Sequence, residues 1–299
     1  MSLRSCVLFS FLLFLISKAP ALSFEENDMV VLVGNTFVER AQKYGYFEAG
    51  LTRSTDQKGV KFRNLGWSGD TVYGDARSYF GPPREGFDRL RANLKELKPQ
   101  VVILCYGAVA AFEGESGEEL FVKGYERLVK MISEVGVREI VLVSPPPAES
   151  LGGRLPKMEG QNARLARYRD LIKGVAERQK CGFADLFGAM EGKEGNWTEN
   201  GLHFGAEGYE KITPLFLTSL GLKPSSANGA LDQKIREEIV AKNKLFFFKW
   251  RPANETYLRL FRKHEQGQNA KELELFDPLI EEAEKRIENL RIELKGGKR

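Results

Sequence analysis

Histidine and cysteine are scarce in this 299-residue chain, which has two of the first and three of the second. The histidines, His203 and His264, lie far apart, and no group of histidine and cysteine has the spacing of metal ligands. We therefore expect no metal site and no bound cofactor. Cys105 lies in the apolar run VVILCYG, where a buried free thiol is common. We expect Cys105 and Cys181 to be free thiols, although a disulfide between them stays open.

A strong excess of charge of either sign is also lacking. The chain has 45 lysines and arginines against 41 aspartates and glutamates, a formal net charge of +4. Nucleic-acid-binding proteins typically carry a basic patch or a strongly basic domain. We therefore expect no nucleic-acid partner.

Long apolar runs are lacking everywhere except at the N-terminus. The stretch MSLRSCVLFSFLLFLISKAPA carries Arg4, then an apolar run from Val7 to Ile16, then the small-x-small pattern Ala19-Pro20-Ala21. This arrangement is typical of a secretory signal peptide over residues 1–21, and the apolar run is too short for a membrane span. A signal anchor is the alternative. We predict an exported chain, periplasmic or secreted, that begins near Leu22 and has no membrane span.

Short apolar runs alternate with longer amphipathic runs between Met29 and Leu222. The runs predicted to be strands are MVVLVG, VKFRNLGW, VVILCYG, EIVLVSPPP and CGFADLF. Strands that alternate with helices predict an α/β fold with a parallel sheet covered on both faces. Ligands of such sheets bind outside the carboxyl ends of the strands. The segments that follow the predicted strands are therefore the candidate site.

The composition changes at KPSSANGA, which predicts a linker between a domain at 24–225 and a C-terminal arm at 226–299. The arm has two charged helical runs around an irregular aromatic stretch. Seventy-odd residues are few for an independent core, so we expect a helical arm packed on the main domain. The aromatic side chains of that stretch would then be buried on the main domain, while the basic residues among them stay solvated. The alternative is that Arg251, Arg262 or His264 reaches over the sheet and contacts a ligand.

Four stretches follow in an order that carries a family resemblance. They are Gly34–Thr36, then Asn64–Thr71 with NLGWSGDT, then Tyr106–Phe112 with YGAVAAF, and last Asn200–Tyr209 with NGLHFGAEGY. In order and spacing this pattern resembles the SGNH hydrolases, also called the GDSL family, over roughly Met29 to Leu222. The resemblance implies a flavodoxin-like three-layer α/β/α sandwich.

The resemblance also implies roles for individual residues. The serine nucleophile of the family falls on Thr36, and the backbone oxyanion donors fall on Gly69 and on Thr36 itself. The asparagine that donates from its side chain falls on Val109. The general base falls on His203, and the aspartate three residues before it falls on Asn200. The other positions expected to line the pocket are Asn35 and Glu199.

Three of these positions differ from the family in ways that weaken catalysis. Threonine keeps a hydroxyl that a nearby base can activate, but its extra methyl group crowds the attacking oxygen. Val109 cannot donate from its side chain, and loss of one oxyanion donor typically lowers turnover roughly 10²–10³-fold. Asn200 is neutral, and the comparable change in a serine protease lowers turnover about 10⁴-fold. Glu199 is the one adjacent carboxylate that could replace it. Thr36 could instead be the N-cap of a helix, and His203 a structural histidine.

The resemblance therefore implies an exported hydrolase of acyl or acetyl esters, possibly on carbohydrate, with low turnover. Its partner would be a small-molecule or carbohydrate ester. The alternative is a non-catalytic ligand-binding or scaffold protein that kept the fold. A third possibility is a protein that binds a partner through its C-terminal helices.

Overall fold

Five parallel strands form the central sheet of the computed structural model, which describes residues 22–193, 195–225 and 229–296. The predicted signal peptide lies outside the described residues. The strands are β1 (Met29–Gly34), β2 (Lys61–Asn64), β3 (Val101–Cys105), β4 (Glu139–Val143) and β5 (Gly182–Ala184). They lie in the order β2-β1-β3-β4-β5, which is the flavodoxin-like order. The predicted fold class is therefore confirmed.

Helices connect the strands and continue into the C-terminal region. In the main domain they are α1 (Thr36–Tyr44), α2 (Tyr46–Ser54), α3 (Pro83–Leu97), α4 (Glu118–Ser133), α5 (Glu159–Gln179), α6 (Leu186–Met190) and α7 (Ala206–Ser219). In the arm they are α8 (Ala230–Trp250), α9 (Glu255–Leu258), α10 (Lys263–Gln266) and α11 (Phe276–Gly296). The amphipathic run FVERAQKYGYFEAGL predicts a single helix where the structure has α1 and α2. Gly45 breaks it because its φ of 75° is left-handed, a conformation that ends a helix.

The two faces of the sheet bury separate sets of apolar side chains, since successive residues of a strand point to opposite faces. One face packs against α3, α4 and α5 through Val31, Val33, Val102, Leu104 and Leu142. The other packs against α1, α2 and α7 through Val30, Leu32, Val101, Ile103 and Val143. The result is a three-layer sandwich in which helices cover both faces of the sheet.

The C-terminal arm covers the sheet at the β2 edge. Helix α8 contacts α1, α2 and β2, and α11 packs along α8. Phe246 and Trp250 of α8 are buried in the same core as α3 to α5. A smaller apolar cluster joins the arm to α2 through Ala49, Ile235, Ile239 and Ile287.

Buried charges also join the arm to this edge. Lys242 of α8 is 1% exposed, and its Nζ donates to the carbonyl oxygen of Phe62 in β2 at 2.9 Å. It also pairs with Glu48 of α2, and burial lowers the pKa of Lys242. Arg63 of β2 pairs with Glu284 of α11. These contacts close an edge strand that would otherwise be open to pairing with another chain.

Neither of the cysteines in the described residues takes part in a disulfide. Cys105 is buried in the sheet, and Cys181 follows α5 and is partly buried. Burial raises the pKa of the Cys105 thiol to about 12 and that of Cys181 to about 11. Across the same residues, no helix is both long and apolar enough to cross a bilayer.

Candidate active site

A cleft of about 200 Å³ lies at the carboxyl ends of the strands. Its walls come from the segments after β1, β3 and β4, from the start of α5 and from the loop before α7. Thr36, Val109 and His203 lie together in these walls. Most of the remaining lining is apolar and includes Ala108, Phe112, Pro146, Leu165, Leu202 and Phe204.

Thr36 is the first residue of α1, directly after the turn that ends β1. A side chain at Gly34 would bring its Cβ within 2.4 Å of the Cys105 carbonyl oxygen, so the turn requires glycine there. The N-cap of α1 is Asn35, whose Oδ1 accepts a hydrogen bond from the Phe37 N–H at 3.2 Å. The alternative that Thr36 caps the helix is therefore wrong. The Thr36 hydroxyl does not cap the helix, and Thr36 lines the cleft.

Gly69 stands beside Thr36 on the loop after β2. The Gly69 N–H donates to Thr36 Oγ1 at 3.1 Å, and the φ of Gly69 is 75°. Below it, Asp70 is fully buried and accepts from Arg77 Nε at 2.6 Å and from the Tyr106 hydroxyl at 2.7 Å. Burial raises the pKa of Asp70, and the Arg77 guanidinium counteracts part of that rise. This buried group fixes one end of the loop that carries Gly69.

Val109 is the N-cap residue of the 3-10 helix Ala110–Gly117, which follows β3, and it is 36% exposed. Its side chain has only methyl groups, so it offers the cleft no hydrogen-bond donor. This wall can contact an acyl chain and cannot hold an oxyanion through a side chain.

Asn200 contacts both the backbone and the ring of His203. The Asn200 Oδ1 accepts from the backbone N–H groups of Leu202 at 3.2 Å and His203 at 2.9 Å. The Asn200 amide nitrogen therefore faces His203 Nδ1, at 3.1 Å. An amide nitrogen only donates, so Nδ1 accepts and the neutral ring carries its proton on Nε2. A general base of the triad type needs the opposite tautomer, with a free Nε2.

Glu199 does not take the place of the missing carboxylate. Its Oε2 accepts from Arg40 Nη2 at 2.8 Å, and this ion pair directs the Glu199 side chain toward α1. Its backbone pairs with the segment that carries the histidine, because the Glu199 N–H donates to the His203 carbonyl oxygen at 2.8 Å. Glu199 is absent from the lining of the cleft, whereas Asn35 is part of it.

The three arm residues considered as ligand contacts lie outside the lining of the cleft. Arg251 pairs with Glu39 of α1 at 3.2 Å. Arg262 pairs with Glu265 within the arm, and His264 lies beside the same carboxylate with 73% of its side chain exposed. Each is directed toward a carboxylate, which explains why none reaches the cleft.

Two kinds of lining residue escaped the sequence reasoning. Arg40 follows Thr36 by four residues, and this spacing puts both on one face of α1, which is a signal that the sequence does contain. The apolar wall formed by Phe112 and Leu202 belongs to stretches already singled out, but exposure of such residues cannot be read from sequence alone. No group of histidine, cysteine, aspartate or glutamate within the described ranges has the geometry to hold a metal ion.

Comparison with known proteins adds a family and several structural neighbours. The model of the GDSL-like Lipase/Acylhydrolase family matches residues 34–211, more than half of the chain. No curated protein matches the chain. A gut microbial diltiazem-metabolizing enzyme is 11% identical, with a TM-score of 0.68 over 91% of this chain and 97% of that one. Since 91% exceeds the main domain, this likeness extends into the arm.

Two further structures match the main domain. A catalytic mutant of an acetylxylan esterase from Geobacillus stearothermophilus is 16% identical, with a TM-score of 0.53 over 69% of this chain and all of that one. An alpha/beta hydrolase enzyme from the metagenome of Lake Arreo, Spain, is 21% identical, with a TM-score of 0.51 over 66% of this chain and 97% of that one. At these identities the structures show a shared fold.

Proposed function

Because the chain belongs to the GDSL-like lipase/acylhydrolase family, a family of ester hydrolases, we propose that it cleaves small ester substrates at low turnover with Thr36 as the nucleophile. The observation that carries this proposal is the shared cleft of Thr36 and His203, with the Gly69 N–H on Thr36 Oγ1. A donor at that place is close to the oxygen of a carbonyl under attack by Thr36.

The proposed reaction follows the acyl-transfer pattern. Thr36 Oγ1 attacks the ester carbonyl carbon while its proton passes to His203 Nε2. The backbone N–H groups of Thr36 and Gly69 hold the oxyanion. His203 then gives the proton to the leaving alcohol, and the acyl group stays on Thr36. Water attacks the acyl group in the same way and regenerates the free hydroxyl.

The Asn200 contact is the physical reason for low turnover. His203 rests with its proton on Nε2, so it can accept a proton there only after the ring changes tautomer. After this change, Nδ1 carries a hydrogen that faces the amide hydrogens of Asn200. Both groups are then donors, so the hydrogen bond between them is lost. A comparable substitution in a serine protease lowers turnover about 10⁴-fold. The missing donor at Val109 adds to the loss, although such losses need not multiply.

The cleft favours esters of a small acyl group. Its volume is about 200 Å³, and Ala108, Phe112 and Leu202 give it apolar walls. An acetyl group suits this space, and the alcohol portion then extends toward solvent. The acetylxylan esterase among the structural neighbours supports acetylated carbohydrate as one such alcohol.

We also propose that the protein is exported. The support is the charged, apolar and small-residue pattern that ends at Ala21. N-terminal sequencing of material isolated from the source cell should begin close to Leu22. A native protein that retains Met1 would contradict export by a cleaved signal peptide.

A ligand-binding protein without turnover is the second candidate function. The same Asn200 contact favours it, because it leaves the proton of His203 on Nε2. His203 then acts as a hydrogen-bond donor to a carbonyl oxygen of the ligand and not as a general base. In that case the fold would have kept its cleft and lost its chemistry.

Hydrolysis of an activated acetyl ester separates the two candidates. We expect slow turnover by the native chain and background rates for Thr36→Ala and His203→Ala. His264→Ala is the matched control, because it removes the other histidine at an exposed position outside the cleft lining. Equal rates for all four proteins would contradict the proposed ester hydrolysis and leave ligand binding as the candidate function.

A further inference from the structure

The loop Gly66–Thr71, here called the oxyanion loop, lies directly on α1. A side chain at Gly66 would bring its Cβ within 2.3 Å of the Glu39 backbone nitrogen. The loop can approach α1 this closely only because residue 66 is glycine. Glu39 therefore lies directly beneath the part of the loop that leads to Gly69.

Glu39 connects the oxyanion loop to the arm. Its Oε2 accepts a hydrogen bond from the Ser68 N–H, and its Oε1 accepts from Arg251 Nη1 at 3.2 Å. The side chains of Glu39 and Arg251 are 18% and 24% exposed. Because the pair is largely removed from water, it is less screened than an ion pair on the open surface. One carboxylate thus orients the residue before Gly69 and is itself oriented by the arm.

Trp67 gives the arm a second contact with the same loop. The Arg251 guanidinium lies 3.7 Å from the centre of the Trp67 ring, within the range of a cation–π interaction. Trp250, the residue before Arg251, meets the same ring edge-on at 5.7 Å. Trp67 is buried, and its backbone N–H donates to the Gly34 carbonyl oxygen at 2.9 Å, next to the start of α1.

From these contacts we propose that Arg251 is a positioning residue, through which the C-terminal arm holds the Gly69 N–H against Thr36. Asp70 and Arg77 fix the far end of the oxyanion loop inside the main domain, whereas Arg251 fixes the Ser68 end. The effect on catalysis rests on the proposed ester hydrolysis, but the effect on the loop does not. The arm is then part of the construction of the site, although it supplies no lining residue.

Hydrogen exchange in the full chain tests the effect on the loop. We compare the native protein with Arg251→Ala, and with Lys249→Ala as the matched control. Lys249 lies two residues earlier and pairs with Asp277 and Glu96, away from the oxyanion loop. We expect the amides of Ser68 and Gly69 to exchange about tenfold faster in Arg251→Ala, the size expected when a partly desolvated cation contact is lost. The control should leave them unchanged.

Kinetics on an activated acetyl ester test the effect on catalysis. Arg251→Ala should lower kcat about fivefold to tenfold with KM nearly unchanged, because the apolar wall of the cleft does not contact Arg251. Arg251→Lys keeps the charge beside Glu39 and should restore part of both properties. It also serves for the comparison if the alanine variant does not fold.

Unchanged exchange at Ser68 and Gly69 in a folded Arg251 variant would overturn the proposal. If the Ser68 and Gly69 amides exchanged equally fast in Lys249→Ala, the proposal would also be overturned, because the effect would then come from a general loosening of the arm. A native chain without ester turnover would refute the proposed function, and the exchange experiment would still decide the role of Arg251.

Discussion

Replacement of Trp250 by alanine tests whether the C-terminal arm belongs to the main core. Trp250 ends α8 and is 9% exposed. Its ring stacks on Phe246 at 6.2 Å and meets Trp67 of the oxyanion loop at 5.7 Å. The substitution therefore removes apolar contact on both sides of the boundary between the arm and the main domain.

The magnitude follows from burial and from one unpaired polar group. Truncation of a buried aromatic side chain to alanine typically costs about 3–5 kcal/mol. Within the described residues, the buried Nε1 of Trp250 has no hydrogen-bond partner, and burial of such a group costs about 1–3 kcal/mol. Its removal offsets part of the loss, so we expect a net decrease of about 2–3 kcal/mol in the free energy of unfolding. For a chain of this size that corresponds to a Tm lower by roughly 3–5 °C.

Thermal unfolding of the full chain, followed by calorimetry near neutral pH, measures this decrease. Phe248→Ala is the matched control, since Phe248 lies on the same helix and is 42% exposed. Its Tm should stay within about 2 °C of the native value, as is usual for surface substitutions. If Trp250→Ala had the same Tm as the Phe248→Ala control, the docking of the arm on the main domain would be refuted. The arm would then be a tethered appendage.

Further predictions concern the same edge of the sheet and the buried thiol. A chain restricted to 22–225 exposes β2 and should aggregate or melt well below the full chain, as light scattering and calorimetry would show; an unchanged Tm would contradict this. Burial raises the pKa of Glu284, but Arg63 and Lys242 lower it more, so the net pKa lies below the ordinary 4.5. The stabilisation is therefore complete above pH 4.5 and is lost as the pH falls through the lower, folded pKa. Glu284→Gln should cost stability at neutral pH and little in acid, and an equal loss at both would refute this sign. Burial raises the pKa of Cys105 to about 12, so iodoacetamide should not label it until the protein unfolds.

The sheet and its helices were predictable because their signal is local. Each strand is a short, continuous apolar run, and the longer runs on either side have the amphipathic periodicity of helices. The break at Gly45 escaped because the apolar spacing continues through it. The order of the strand ends was enough to expect Thr36, Val109 and His203 in one cleft, where the structure has them. Their catalytic roles stay predictions.

What the sequence could not provide are contacts between distant residues. Glu199 is adjacent in sequence to Asn200, and only the fold shows that Arg40, 159 residues earlier, binds it. In the same way, Glu39 and Arg251 are separated by 212 positions in the sequence, so the link from the arm to the oxyanion loop is visible only in the fold. The composition of the arm predicted that it packs on the main domain, but it did not show which residues of that domain the arm contacts.

The rate of Asn200→Asp tests the central claim most directly, namely that the proton on His203 Nε2 limits turnover. An aspartate keeps an oxygen for the N–H groups of Leu202 and His203, and its second oxygen accepts from His203 Nδ1. The ring proton then moves to Nδ1, and Nε2 is free to act as the base. We predict that kcat on an activated acetyl ester rises about 10–10³-fold and that Thr36→Ala abolishes the gain. A folded Asn200→Asp protein with the native rate, or with a gain that survives Thr36→Ala, would contradict the account.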